Sequence, residues 1–166
     1  GVGTRLSSIA RGFTQGSLTR TDRELDVAIK GRGFLPITAV DGQTVYTRDG
    51  TLSVDRDGNI VTSEGLFVQN AGTIPANARG INISETGQVS YIDNEGLENV
   101  VGNLQLAIFQ NPSGLSGMGG NLFHETDASG AGQFLEPGLD GAGLLQQRYL
   151  ESSNVSIVEE MVDICL

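Results

Sequence analysis

Asp41-Gly42, Asp49-Gly50 and Asp57-Gly58 stand eight residues apart, with short β-rich runs between and after them: Val45-Tyr46-Thr47, Leu52-Ser53-Val54 and Ile60-Val61-Thr62. Asp-Gly beside β-branched residues is the strongest short-range hairpin signal, because glycine supplies the positive φ that tight hairpin turns need. The expected turn is type I′, and a spacing of eight predicts a meander of short antiparallel strands. Upstream, Leu25, Val27 and Ile29 alternate with Asp26, Ala28 and Lys30 until Gly31-Arg32-Gly33 ends the run. That is a period-two strand pattern. Pro36 removes one ladder donor, so its strand is expected at an edge or at a bulge.

The same pattern continues through Gly65-Leu66-Phe67-Val68, Ile81-Asn82-Ile83, Val89-Ser90-Tyr91-Ile92 and Leu104 to Phe109, with turn signals at Thr86-Gly87 and Asn94-Glu95-Gly96. The fold class is therefore mainly β, an antiparallel β-meander core with short helical or extended segments at the termini. Residues 1–24 read as an extended or irregular lead-in, because glycines interrupt the apolar series Val2, Leu6, Ile9, Phe13. Residues 25–145 read as the β-rich core. Within it, residues 110–145 are rich in Gly, Asn, Ser and Pro, and are expected to be a loop-like partner contact or linker rather than an active site.

Residues 146–166 change character. Val155, Val158 and Val162 are spaced 3 and 4, an a/d rhythm, and Ser156 with Glu159 has capping-box spacing. A helix is expected to start near residues 154–156 and to reach Leu166 after barely three turns, as if cut short. Asn154, Val155, Val158 and Val162 are the candidate subunit contacts.

Composition narrows the function. The chain of 166 residues carries a net charge of −10, which disfavours nucleic acid and anionic lipid as partners. No apolar run approaches the roughly 18 residues of a membrane-spanning helix, so membrane insertion is not expected. Glycine reaches 24 of 166, about twice the usual share of roughly 7%, and sits between apolar runs as in turns. One cysteine, Cys165, and one histidine, His124, cannot build a zinc cluster or an internal disulfide. On a strand, Glu125 points away from its neighbour His124 and cannot orient it for catalysis. Asp55-Arg56-Asp57-Gly58-Asn59 lacks the glycine and glutamate positions of a calcium loop. Gly31-Arg32-Gly33 and Gly117-Met118-Gly119-Gly120 lack the residues that complete a phosphate loop. No catalytic residue, cofactor or metal ligand is assigned. A free-standing β module binding a glycan or other ligand would need an aromatic-lined groove, and nine aromatics scattered along the chain argue against it.

Four blocks resemble the flagellar axial family of rod and hook proteins. They are Leu25-Asp26-Val27-Ala28-Ile29-Lys30-Gly31-Arg32-Gly33-Phe34; Tyr46-Thr47-Arg48-Asp49-Gly50 with Asp57-Gly58; Phe109-Gln110-Asn111-Pro112-Ser113-Gly114-Leu115 through Gly120-Asn121-Leu122-Phe123 to Ser129-Gly130-Ala131; and Gln146-Gln147-Arg148-Tyr149-Leu150-Glu151-Ser152-Ser153-Asn154-Val155 through Val158-Glu159-Glu160-Met161-Val162. The resemblance covers nearly the whole chain in order. Within the family, Phe13-Thr14-Gln15-Gly16, Gly119-Gly120-Asn121-Leu122-Phe123 and the Val-Glu-Glu-Met-Val ending are the spellings that separate members. Leu35-Pro36 departs from the family's usual pair of an aromatic and a non-proline residue.

The resemblance implies a structural subunit, not an enzyme, in the distal part of the basal-body rod, with hook or proximal rod as the alternatives. It implies helical self-assembly into a tube that carries torque, with contacts to neighbouring proximal rod and hook-side axial proteins and to the envelope ring bushings. It places the subunit in the periplasm-spanning rod, exported through the type III route without a cleaved leader. The family has long helices at both ends, which this stretch is expected to lack, so the stretch alone is expected not to polymerise.

Overall fold

The computed structural model describes residues 14–152. It is built from short strands: β1 (Leu18–Arg20), β2 (Val27–Lys30), β3 (Leu35–Thr38), β4 (Thr44–Thr47), β5 (Leu52–Val54), β6 (Ile60–Thr62), β7 (Phe67–Val68) and β8 (Gly80–Ile83). There follow β9 (Gln88–Ile92), β10 (Glu98–Asn103), β11 (Leu106–Ile108), β12 (Ser116–Gly119), β13 (Leu122–His124), β14 (Gln133–Leu135), β15 (Leu144–Gln147) and β16 (Tyr149–Glu151). One 3₁₀ turn, Pro112–Gly114, interrupts the series. Every pairing between these strands is antiparallel. The main sheet has the order β12-β13-β4-β3-β7-β6-β5, a second has β10-β9-β8, and β1-β16, β2-β15 and β11-β14 form two-stranded ribbons. The mainly β, antiparallel class expected from the sequence is the class observed.

The turns differ in detail from type I′. Gly58 has φ +88°, but Asp57 is not in the left-handed region. Gly58 N–H donates to the Asp55 carbonyl and Asp55 N–H to the Asn59 carbonyl, so the loop is a three-residue turn closed by a left-handed glycine. The Asp55 carboxylate accepts from the backbone N–H of Asn59 above all, and also from that of Asp57, which holds its pKa below the usual carboxylate range. The same backbone pattern recurs at Ala39–Gln43, Thr62–Leu66, Ser84–Gln88 and Asp93–Leu97.

Asp49-Gly50 is not a hairpin. Strand β4 pairs with β3 and β13, and β5 sits at the far edge of the sheet. Gly50 instead lies against β2: its carbonyl accepts from Val27 N–H, and a Cβ there would stand 1.6 Å from the Val27 carbonyl oxygen. Close backbone approach, not a turn, requires this glycine. Pro36 also departs from expectation, because β3 is interior, between β4 and β7. Its carbonyl accepts from Gln69 N–H just past the end of β7, so the proline ring removes only the reciprocal bond at a point where the ladder already ends.

The Gly-rich stretch 110–145 is not one loop. It carries β12, β13 and β14, and β13 and β14 are held by β4 and β11 respectively. Ahead of the expected helix, the chain runs through β15 and β16, with Arg148 between them. The expected helix start at 154–156 lies outside the described residues.

Two clusters fill the interior. The larger gathers Val27, Ile29, Leu35, Ile37, Val45, Leu52, Ile60, Val89, Leu104, Leu106 and Leu145 between the sheets. β2 is buried on both faces, since Ala28 and Asp26 are buried alongside Val27 and Ile29. The smaller cluster is aromatic: Phe34, Tyr46 and Phe109 with Phe123 and Phe134 packed on it. Tyr46 meets Phe109 edge to face at 4.8 Å. Five aromatics scattered in sequence thus converge into one packed cluster.

Candidate functional site

Both ends of the described chain leave the β domain at one place. β1 and β16 pair with Leu18 opposite Glu151, Thr19 opposite Leu150 and Arg20 opposite Tyr149. The ribbon is reinforced by the Arg20 guanidinium, 6.0 Å from the centre of the Tyr149 ring, and by its ion pair with Asp22.

The ribbon is fastened to the core by a largely buried ion pair. Arg48, just past β4, donates from Nε and Nη2 to the two carboxylate oxygens of Glu151 at 2.9 and 2.8 Å. The pair is bidentate, and the side chains are only 16% and 12% exposed. The rest of the guanidinium reaches the carbonyls of Gly31, Gly33 and Ile29. The other lone pairs of Glu151 take Gly16 N–H at 2.8 Å and the Gln15 side-chain amide. Gln15 in turn accepts from Gly31 N–H and donates to the Ile29 carbonyl. Every polar group of this cluster is satisfied, so it fixes one geometry between the two ends and the core.

A second link ties the three-stranded sheet to the same region. The Gln147 side-chain amide donates to the carbonyls of Glu24 and Ile81 and accepts from Ile83 N–H, taking the place of a neighbouring strand along the edge of β8. The joint between ribbon and core contains two non-glycine residues in the left-handed region, Asp22 at φ 66° and Arg148 at φ 74°. They are held to each other: Asp22 N–H donates to the Arg148 carbonyl, and Arg148 Nη1 to the Asp22 carbonyl. Such conformations persist only where surrounding bonds enforce them.

The candidate contacts Asn154, Val155, Val158 and Val162 lie outside the described residues. They follow directly from the β16 end of the ribbon. His124 is exposed at the end of β13. Glu125 turns away from it, accepting from Tyr46 Oη and Gly132 N–H, and contributes to the aromatic cluster. Burial, with the Glu125 charge adding, pushes the Tyr46 phenol up to about 12.

Sequence reasoning missed Gln15, Arg48, Gln147 and Glu151 as a unit, yet a signal was present. Gln15, the Ile29–Gly33 corner, Arg48 and Glu151 belong to separate family-like stretches of the sequence, and the structure brings those stretches to one point.

Comparison with known proteins agrees with this organisation. A family model described as the flagellar hook protein FlgE/F/G D1 domain matches residues 28–91, and one described as the flagellar basal body rod FlgEFG protein C-terminal matches residues 146–164. The chain is 46% identical over 162 residues to flagellar basal-body rod protein FlgG of Caulobacter vibrioides, covering 97% of this chain and 62% of that protein. It is 36% identical over 168 residues to FlgG of Bacillus subtilis, covering 98% and 63%. Against the rod protein FlgF of Buchnera aphidicola it is 28% identical over 155 residues, covering 91% and 61%. The chain thus spans somewhat over three fifths of the length of these relatives. The D1 model covers β2 through most of β9, the C-terminal model begins where the ribbon strand leads out, and the FlgG likeness runs from end to end: the chain belongs to the flagellar rod and hook family.

Proposed function

We propose that this protein is a structural subunit of the distal rod of the bacterial flagellar basal body, assembling with copies of itself into a helical tube that transmits torque from motor to hook. The FlgG relatives favour an FlgG-like, distal rod role over an FlgF-like one, because identity is 36–46% to the FlgG proteins compared and 28% to FlgF. The role is mechanical and uses no chemistry. The subunit meets proximal rod and hook-side axial proteins, with the envelope ring bushings around it.

The observation that carries this reading is the joint. Two chain ends that leave side by side, locked to the core by a buried and fully satisfied ion pair, transmit load from terminal segments into the β domain without slack. In this arrangement residues 25–145 form an outer shell, and the segments beyond the ribbon supply an inner helical layer. Asn154, Val155, Val158 and Val162 make its contacts, each fully buried aliphatic contributing about 1.5–3 kcal/mol. Heterologous contacts that do not close a ring generate such a tube.

Val158→Asp tests this. The variant is expected to keep the β domain folded by circular dichroism, to be missing from purified rods, and to abolish swimming. Normal motility would refute the assembly role of that position.

A further inference from the structure

Beyond the joint, two surface features of the same chain fit each other and are not satisfied within it. The first is a cleft of about 260 Å³ between the Gly31–Phe34 corner and the segment that follows β11, lined by Gly33, Phe34, Ile108, Phe109 and Pro112. Its wall is largely apolar. Arg32 forms part of the lining and Lys30 precedes it on the same corner; both are exposed, and among the described residues neither forms an ion pair. Lys30 is the sole lysine of the chain. Arg48 also lines the cleft, but its charge is committed to Glu151.

The second feature is the turn between β9 and β10. Glu95, Gly96, Leu97 and Glu98 are all exposed, and Leu97 is 58% exposed. The Asp93 carboxylate accepts from Glu95 N–H, Leu97 N–H and Asn99 Nδ2, which sets the tip in one shape. Glu95 has no cationic partner among the described residues, and Glu98 takes only the Ser90 hydroxyl. The tip is a preformed apolar knob between two carboxylates, and the cleft is an apolar hollow with the uncommitted Arg32 in its lining and the exposed Lys30 two residues before it in sequence.

We infer that the β9–β10 tip of one copy docks in the Gly31–Phe34 cleft of the next, with Leu97 in the hollow and Glu95 and Glu98 against Arg32 and Lys30. The occupant is a second copy because the chain carries both halves, opposite in charge and both open to solvent. Two different patches meeting make a heterologous contact, which builds an open helical array wherever its rotation does not close a ring. A tip ordered before contact loses little freedom on docking. The inference rests on the proposed reading of the protein as a rod subunit and names a lateral contact of its outer domain.

The test places cysteines by Arg32→Cys and Glu95→Cys in the full-length protein made by the source bacterium, with Cys165→Ser and any other native cysteine likewise replaced by serine. Rods are purified, oxidised and run on a non-reducing gel. The pair is expected to give a ladder of multimers and either cysteine alone no ladder. Arg32→Glu is expected to lower rod yield at least tenfold, and Glu95→Arg in the same chain to restore it. Assembled rods with no ladder from the cysteine pair would overturn the contact while leaving the rod reading intact. Failure of Glu95→Arg to restore an Arg32→Glu protein that circular dichroism shows to be folded would also overturn it. So would an intrachain cross-link between Arg32→Cys and Phe13→Cys, which would assign the cleft to the chain's own lead-in. Absence of the wild-type protein from purified rods would instead fail the rod reading itself, and the contact with it.

Discussion

Replacing Arg48 by methionine keeps most of the aliphatic stem and removes the guanidinium. Five hydrogen bonds go with it: two to Glu151, and one each to the carbonyls of Ile29, Gly31 and Gly33. Glu151, 12% exposed, is left as a buried carboxylate with only Gly16 N–H and Gln15 as partners. Breaking a buried pair from one side costs about 3–5 kcal/mol, whereas an exposed pair is worth at most about 1 kcal/mol. For a chain of this length each kcal/mol moves the melting temperature by about 2–4 °C, so Arg48→Met should lower it by about 6–20 °C. The assay is thermal and urea unfolding of the purified chain, followed by circular dichroism. The control is the double replacement Arg48→Met with Glu151→Leu. It removes the stranded charge as well, and should recover at least half of the loss, with the three carbonyls still lacking their donor. A loss under about 1 kcal/mol in the single variant would show that solvent already screens the pair as it does a surface one. A double variant no better than the single would show that the stranded charge is not the source of the cost.

Two further tests concern the core. Gly50→Ala should prevent stable folding, because its Cβ would stand 1.6 Å from the Val27 carbonyl oxygen, while Gly42→Ala, whose Cβ meets nothing within 4 Å, should cost only the left-handed strain of about 1–2 kcal/mol; equal unfolding midpoints for the two would contradict the close-approach role of Gly50. Tyr46 should make stability fall at alkaline pH: its folded pKa is raised to about 12, so the protonated form favours the fold, and that contribution is complete below pH ~10 and lost as pH climbs toward 12. Tyr46→Phe should flatten that limb of the stability–pH curve, and superimposable curves for the two proteins would refute it.

Much of the fold was legible because glycines mark its turns. Gly42, Gly58, Gly65, Gly87 and Gly96 all take positive φ at hairpin ends. Asp49-Gly50 misled because the dipeptide signal does not separate a turn from a close backbone crossing. Strand β10, Glu-Asn-Val-Val-Gly-Asn, was missed because its polar residues hide any alternation, and pairing with β9 decides it instead. β12–β14 were missed for a related reason. They are short and Gly-rich, and tertiary partners order them where propensity does not. The joint was the least legible part, since Arg48 and Glu151 are 103 residues apart and polar, so no periodicity links them. Only the coincidence of family-like blocks at Gln15, Gly31–Gly33, Arg48 and Glu151 pointed to it.

The most direct test of the rod role is to delete the gene in the source bacterium and image purified basal bodies by electron microscopy. A rod that stops short of its distal segment, with no hook, is the predicted result. A complete rod lacking only its hook would move the protein to the hook, and normal flagella would contradict the account.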